Sequence, residues 1–257
     1  MIEINNLTLK INGKTILDDI SVTANDGEII GVIGPTGAGK TLLLKTVAGL
    51  MPKYRGGISI NGEAPRAASG AKGARLLSWY SSDLPHNPDE TVYDFLLLSR
   101  VPYKKIFRPF SDYDRQVADE YIALLELGPS RDDRIGTLPD GIFRRVMLAH
   151  VFIRESYAML LDNPTNDLDI VSLKTLKKTL SRYVLNGNRI AVIGSNDLNF
   201  IAQTVDRILV MDRGRIAESG TADMLTPELI KKYFGIEAVI SRNVFSGKPE
   251  IQFFPDV

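Results

Sequence analysis

Cysteine is absent from the 257-residue chain. That excludes disulfides and thiolate metal sites, and it fits a reducing compartment such as the cytoplasm. An excess of one charge is also missing: Lys+Arg and Asp+Glu both total 31, so the formal net charge is zero. A balanced chain has no global attraction for nucleic acid or anionic lipid, and such a partner would need a local patch. No apolar run reaches the roughly 18 residues that span a bilayer. A role at a membrane then requires another chain to supply the membrane part. The start, Met1-Ile2-Glu3-Ile4, has no basic stretch leading into an apolar one, so no signal peptide is expected. Histidine is scarce. His86 and His150 are the only two, and both read as surface or packing residues. What remains is ordinary for a globular protein: 44% hydrophobic and 24% charged residues, enough to bury a core. The length suits one large domain, or a core carrying an inserted lobe.

The first thirty residues read as β structure. Ile2, Ile4, Leu7 and Leu9 mark a half-buried strand with one slip in its alternation. Asn12-Gly13 marks a hairpin turn, with Ile16, Leu17, Ile20 and Val22 beyond it. Asn25-Asp26-Gly27 is a second turn before the apolar run 28–33, the pattern of a strand buried on both faces. Helical composition follows over 40–50, then a strand at 58–60. From 89 to 155 the periodicity turns helical, with Val92, Phe95, Leu96, Val117, Tyr121, Leu124 and Leu125 at helical spacing. Strand and helix patterns then alternate: strands at 158–161, 189–193 and 208–211, and a helix at 171–183. Such alternation predicts a largely parallel sheet. The expected organisation is a single unit: an α/β core (1–88 and 156–235) with an antiparallel β part at its start, a helical insertion (89–155), and a β appendage (236–257).

Gly34-Pro35-Thr36-Gly37-Ala38-Gly39-Lys40-Thr41 matches the phosphate-binding pattern G-x-x-x-x-G-K-[ST] in full, between a buried strand and a helix. The glycines let the backbone curl so that successive N–H groups face phosphate oxygens. The helix that follows aims its positive end at the same place. Lys40 reaches the β- and γ-phosphates, and the Thr41 hydroxyl can ligate Mg²⁺. Asp162, closing the apolar strand at 158–161, is a second candidate ligand for that ion. ATP and Mg²⁺ are therefore the expected cofactors, with ATP over GTP resting on the resemblance below.

The run from Leu160 to Asp169, LLDNPTNDLD, resembles the extended Walker B and D-loop of ATP-binding cassette (ABC) ATPases, usually LLLDEPTxxLD. The order of elements is similar along nearly the whole chain. The stretch from Thr91 to Tyr103, TVYDFLLLSRVPY, resembles the helical lobe of subunits serving siderophore, haem and cobalamin importers. The resemblance implies a P-loop NTPase core with a mostly parallel sheet, an antiparallel β subdomain and an inserted helical subdomain. It further implies a head-to-tail dimer with a second cassette, identical or different, docked on two transmembrane permease subunits at the cytoplasmic face of the membrane. Nucleic acid is not an expected partner, and Lys104, Lys105 and Arg108 read as a solvated basic face.

The chain departs from the family pattern where catalysis takes place. The family's catalytic Glu aligns with Asn163, a neutral amide that cannot serve as a general base. The switch His aligns with Asn196, which can donate a hydrogen bond but carries no charge. The Gln that senses Mg²⁺ and the attacking water aligns with Ser82. The signature LSGGQ aligns with Leu138, Pro139, Asp140, Gly141 and Ile142, of which only Leu138 and Gly141 survive. Pro139 has neither hydroxyl nor N–H, and Asp140 is expected to cap the following helix itself and repel a phosphate there. The adenine-stacking aromatic aligns with Ile11. The implied function is that of an ATP-binding importer subunit whose homodimer hydrolyses ATP weakly or not at all. The alternative is an ATP-binding regulatory or structural module without hydrolysis.

Overall fold

The computed structural model describes residues 1–51, 53–65, 70–81, 86–105, 107–185 and 187–254. Strands β1 (Ile2–Ile11) and β2 (Lys14–Ala24) form the expected hairpin. Asn12 and Gly13 both take positive φ, 50° and 78°, which is why Asn-Gly stands at this turn. The slip in β1 is a bulge: the register shifts between Ile4 and Leu7, and Asn6 has φ 47°. It returns Leu7 and Leu9 to the buried face. Strand β4 (Arg55–Ile60) joins the other edge of β1, giving an antiparallel sheet in the order β2-β1-β4.

The second sheet begins with β3 (Ile29–Ile33), buried at all five positions. It leads through the glycine loop into α1 (Lys40–Val47). Helix α2 (Gly70–Leu76) and strand β5 (Leu77–Tyr80) follow. Three helices then intervene, α3 (Val92–Leu98), α4 (Asp112–Leu124) and α5 (Asp140–Ile153). The α/β pattern resumes with β6 (Ala158–Asp162), α6 (Ile170–Leu185), β7 (Ile190–Gly194), α7 (Leu198–Thr204), β8 (Arg207–Asp212), β9 (Arg215–Gly220) and α8 (Pro227–Phe234). The sheet order is β5-β6-β7-β3-β8-β9, parallel except for β9. The chain ends in a separate hairpin of β10 (Ala238–Arg242) and β11 (Pro249–Phe253).

Two apolar cores lie on the two faces of this sheet, and strand alternation sorts residues between them. Ile30 and Val32 of β3, with Leu160 of β6, join the core shared with β1, β2 and α1. Ile29 and Ile33, with Met159 and Leu161, join the core built with α3 to α7. Strands buried on both faces read as continuous apolar runs rather than alternating ones.

Between α3 and α4, Arg100 is almost fully enclosed, 1% exposed. Its guanidinium donates to Asp114 Oδ1 at 3.1 Å, to the Ile153 carbonyl at 2.8 Å and to Glu155 Oε2 at 3.0 Å. Asp114 also closes the capping box of α4 with Ser111. Glu155 in turn accepts from Arg189 at 3.2 Å. One buried cation thus joins α3, the start of α4 and the end of α5, and Glu155 links that cluster to the edge of β7.

Candidate functional site

The loop after β3 sits at the point where the sheet order changes direction, with β7 on one side of β3 and β8 on the other. Ligands of open α/β sheets bind at such a point, beyond the carboxyl ends of the strands. Gly34 has φ 148°, and a Cβ there would lie 2.2 Å from the Met211 carbonyl oxygen. Gly39, at φ 107°, would meet Leu17 at 2.9 Å. A side chain at either position would push the loop out of shape. Gly39 is the N-cap of α1 with no side-chain cap bond, so the first-turn N–H groups stay free for a ligand.

Lys40 is 7% exposed, and its Nζ donates to the carbonyls of Gly34 at 2.6 Å and Pro35 at 3.2 Å. Burial lowers its pKa and the Asp162 carboxylate partly offsets that. Thr41 Oγ1 donates to Asp162 Oδ1 at 3.0 Å. The two oxygens proposed as metal ligands therefore lie side by side. Burial raises the Asp162 pKa, while the Thr41 bond, Lys45 and Lys40 pull it down. Among the described residues no group of three or more His, Asp or Glu could hold a metal ion. A Thr–Asp pair is the sparse protein donor set that suits Mg²⁺ held mainly by phosphates and water.

A cavity of about 250 Å³ opens over the loop. Thr36, Gly37 and the residues from Gly39 to Leu42 line it, together with Ile16, Asn163 and Asn196. The structure thus brings the phosphate loop together with the positions expected for the general base and the switch. Asn163 is half-buried at φ 48°, and its N–H donates to the Gly194 carbonyl at 2.8 Å. Asn tolerates this left-handed conformation better than most residues do. Its side-chain Nδ2 donates to Asp162 Oδ1 at 3.3 Å. Asn196 is exposed between two anchored neighbours. Ser195 donates its N–H to the Val32 carbonyl, and Asp197 caps α7 through the Phe200 N–H at 2.8 Å. Ser82 lies outside the described residues.

Ile11 ends β1 paired with Lys14, and Ile16 of β2, beyond the turn, lines the cavity. One expectation needs correction. Asp140 does not cap α5. Pro139 occupies the N-cap without a side-chain bond, and Asp140 is the first helical residue. Its charge still faces the positive end of the helix. Leu138 and Ile142 pack partly into the core, whereas Pro139, Asp140 and Gly141 are exposed. None of the five lines the cavity of its own chain. Arg144, one turn further on, donates to Asp167 at 3.3 Å, tying α5 to the loop after β6. His86 lies against Phe143 at the surface, and His150 is packed on Phe95.

A buried strand, a glycine loop and a helix carrying Lys and Thr, set beside a strand-end Asp, define a P-loop nucleotide-binding fold. The chain belongs to the ABC transporter family, whose family model matches residues 17–166. It is 27% identical over 256 residues to the cobalamin import ATP-binding protein BtuD of Halobacterium salinarum, covering 99% of this chain and 64% of that protein's length. Over 261 residues it is 29% identical to the hemin import ATP-binding protein HmuV of Gloeobacter violaceus, covering 97% of this chain and 92% of the relative. The dimeric post-hydrolysis structure of the cassette MJ0796, bound to ADP and Pi, shares the fold with a TM-score of 0.75 at 19% identity. That match covers 86% of this chain and 98% of the other. No helix among the described residues is long and apolar enough to cross a membrane.

Proposed function

We propose that this chain is the ATP-binding subunit of an ABC importer for a metal chelate or similar solute. In this reading it binds Mg-ATP at a cassette dimer interface and turns it over weakly or not at all as a homodimer. Its partners would be a second cassette, identical or different, and two permease subunits that hold it at the cytoplasmic face of the membrane. The substrate class follows from the import functions in the relatives' names and from the segment from Thr91 to Tyr103. The whole chain reads as one cassette, with 89–155 as its helical part and 236–257 as an appendage.

One observation carries the catalytic half of this reading: a complete phosphate cradle shares its cavity with two asparagines. Gly34 to Thr41 would hold the triphosphate, and Thr41 with Asp162 would hold Mg²⁺, which supplies charge neutralisation at the β- and γ-phosphates. Asn163 can orient a water but cannot take its proton, a loss worth roughly 10²–10⁴-fold. Asn196 can donate one neutral hydrogen bond. In a homodimer both sites would also meet a partner signature carrying Pro139 and Asp140. With an intact cassette as partner, one site would lack the base and the other a good signature. The same two asparagines favour a second reading, a regulatory module that binds ATP without hydrolysis.

Titration of the purified chain with Mg-ATP, alongside steady-state phosphate release, tests the proposal. Binding is expected with turnover near background, and Lys40→Ala should abolish the binding. Turnover well above background in the homodimer overturns the catalytic part. Reconstitution with its permease separates the two readings, since only the importer subunit regains ATP-driven uptake there.

A further inference from the structure

Helix α7 leaves the switch region and ends at Thr204, where it meets a second cavity, at the end of β3 away from the glycine loop. This cavity measures about 360 Å³ and lies among α6, the end of α7 and the loop between β10 and β11. Lys177, Ser181, Thr204, Ser246 and Lys248 contribute its polar wall. Three of these groups are poorly served within the chain. Thr204 is 6% exposed, yet its Oγ1 has no hydrogen-bond partner among the described residues. The Lys177 ammonium has no hydrogen bond or ion pair among the described residues. Among the described residues Lys248 reaches only the carbonyls of Gln203 and Val205, each at 3.4 Å. The two ammonium groups feel each other: burial lowers the Lys177 pKa, and the charge of Lys248 lowers it further. The single acidic residue on the wall, Asp206, is exposed and accepts from the Ile29 N–H at 2.8 Å. Neither lysine forms an ion pair with it.

Two neighbouring cations without a counter-ion, beside a buried hydroxyl without a partner, are costly unless a ligand completes them. We propose that this cavity binds a small oxyanionic molecule, a phosphate monoester or a short dicarboxylate. Lys177 and Lys248 would share its charge and Thr204 Oγ1 would donate to it. The volume fits a ligand of a few carbons plus its anionic group. The site is separate from the glycine loop and draws its residues from the core and the appendage, so a ligand here would pin β10 and β11 to α6 and α7.

The test is calorimetric titration of the full chain with inorganic phosphate, glycerol 3-phosphate and succinate. It is done in a Lys40→Ala background, so that binding at the glycine loop cannot contribute. At least one probe should bind, and Lys177→Gln or Lys248→Gln should weaken it on the order of tenfold, the effect of losing one charge-assisted hydrogen bond. Thr204→Val is the sharper variant. Removing an unpartnered hydroxyl should raise the unfolding midpoint of the free protein while weakening the anion. Comparing phosphate with succinate distinguishes the two ligand classes. No binding by any probe, or binding indifferent to both lysine substitutions, overturns the proposal. So does a Thr204→Val protein that binds unchanged.

Discussion

Asn163 and Thr41 donate to the same oxygen, Oδ1 of Asp162, at 3.3 and 3.0 Å. The residue proposed to replace the family's base is thereby turned onto the proposed metal ligand as a donor. A carboxylate at 163 could not make this bond and would instead repel Asp162.

Asn163→Glu should therefore do three measurable things. Phosphate release should rise at least tenfold, since a base is restored within the range that general-base catalysis supplies. Half-maximal activity should require less Mg²⁺ than nucleotide binding does in the parent, because a second carboxylate beside Asp162 strengthens the attraction for a divalent cation. The folded state should lose about 1 kcal/mol, because Glu is poorer than Asn at φ 48°. Unchanged turnover would shift the main defect to the signature.

The signature gives an independent prediction. Pro139 holds the N-cap of α5 with no side-chain bond, and Ser there can accept from a first-turn N–H. Pro139→Ser should stabilise the nucleotide-free chain by about 1 kcal/mol, read as a higher urea midpoint. Combined with Asp140→Gly, it should also strengthen ATP-dependent dimerisation in sedimentation velocity, because a hydroxyl replaces a nearby negative charge. A midpoint unmoved by Pro139→Ser would mean that the helix end is already satisfied by solvent.

How much the sequence disclosed depended on what each feature required of it. The β1–β2 turn needs positive φ, and Asn12-Gly13 announces that. The doubly buried β3 announces itself by an unbroken apolar run, and the glycine loop by its spacing. Strand β5 was not legible: its four residues, Leu77–Tyr80, join the sheet beside β6 through pairing with a distant segment. Helix α2 just before it, Gly-Ala-Lys-Gly-Ala-Arg-Leu, holds two glycines, poor helix formers. Strand β9 reads as mixed polar residues because it is an exposed edge. In the site, Asn163 and Asn196 were placed by motif. The place of Ile16 on the cavity wall depended on a strand register that local pattern does not encode.

Arg100 should be the least replaceable residue outside the site. Removing Asp114 or Glu155 leaves its enclosed guanidinium short of a partner, and breaking a buried pair typically costs roughly 3–5 kcal/mol. Asp114→Ala should lie in that range. Arg100→Met with Asp114→Ala should cost less than the sum of the two single changes, because no orphaned charge remains. Denaturant melts of the four proteins provide the cycle, and strict additivity would show that the pair is not coupled.

His150 makes the chain's stability depend on pH above the carboxylate range. Its ring stacks on Phe95 with centroids 4.7 Å apart. Nε2 faces the Arg154 guanidinium at 3.0 Å and Nδ1 faces Ser99 Oγ at 2.7 Å. Arg154 can only donate, so Nε2 must accept, and the neutral ring carries its proton on Nδ1. Enclosure of the ring, then the Arg154 charge, push the pKa from 6.5 down to about 3. Below pH 6.5 the unfolded chain takes up a proton that the folded chain refuses. Stability from this residue is thus complete above 6.5 and lost on acidification, with a slope approaching about 1.4 kcal/mol per pH unit. Urea midpoints measured from pH 7.5 to 5 should fall in the wild type and fall less steeply in His150→Gln, which keeps a polar group but does not titrate. Parallel slopes in the two proteins would mean that the folded ring accepts a proton despite Arg154.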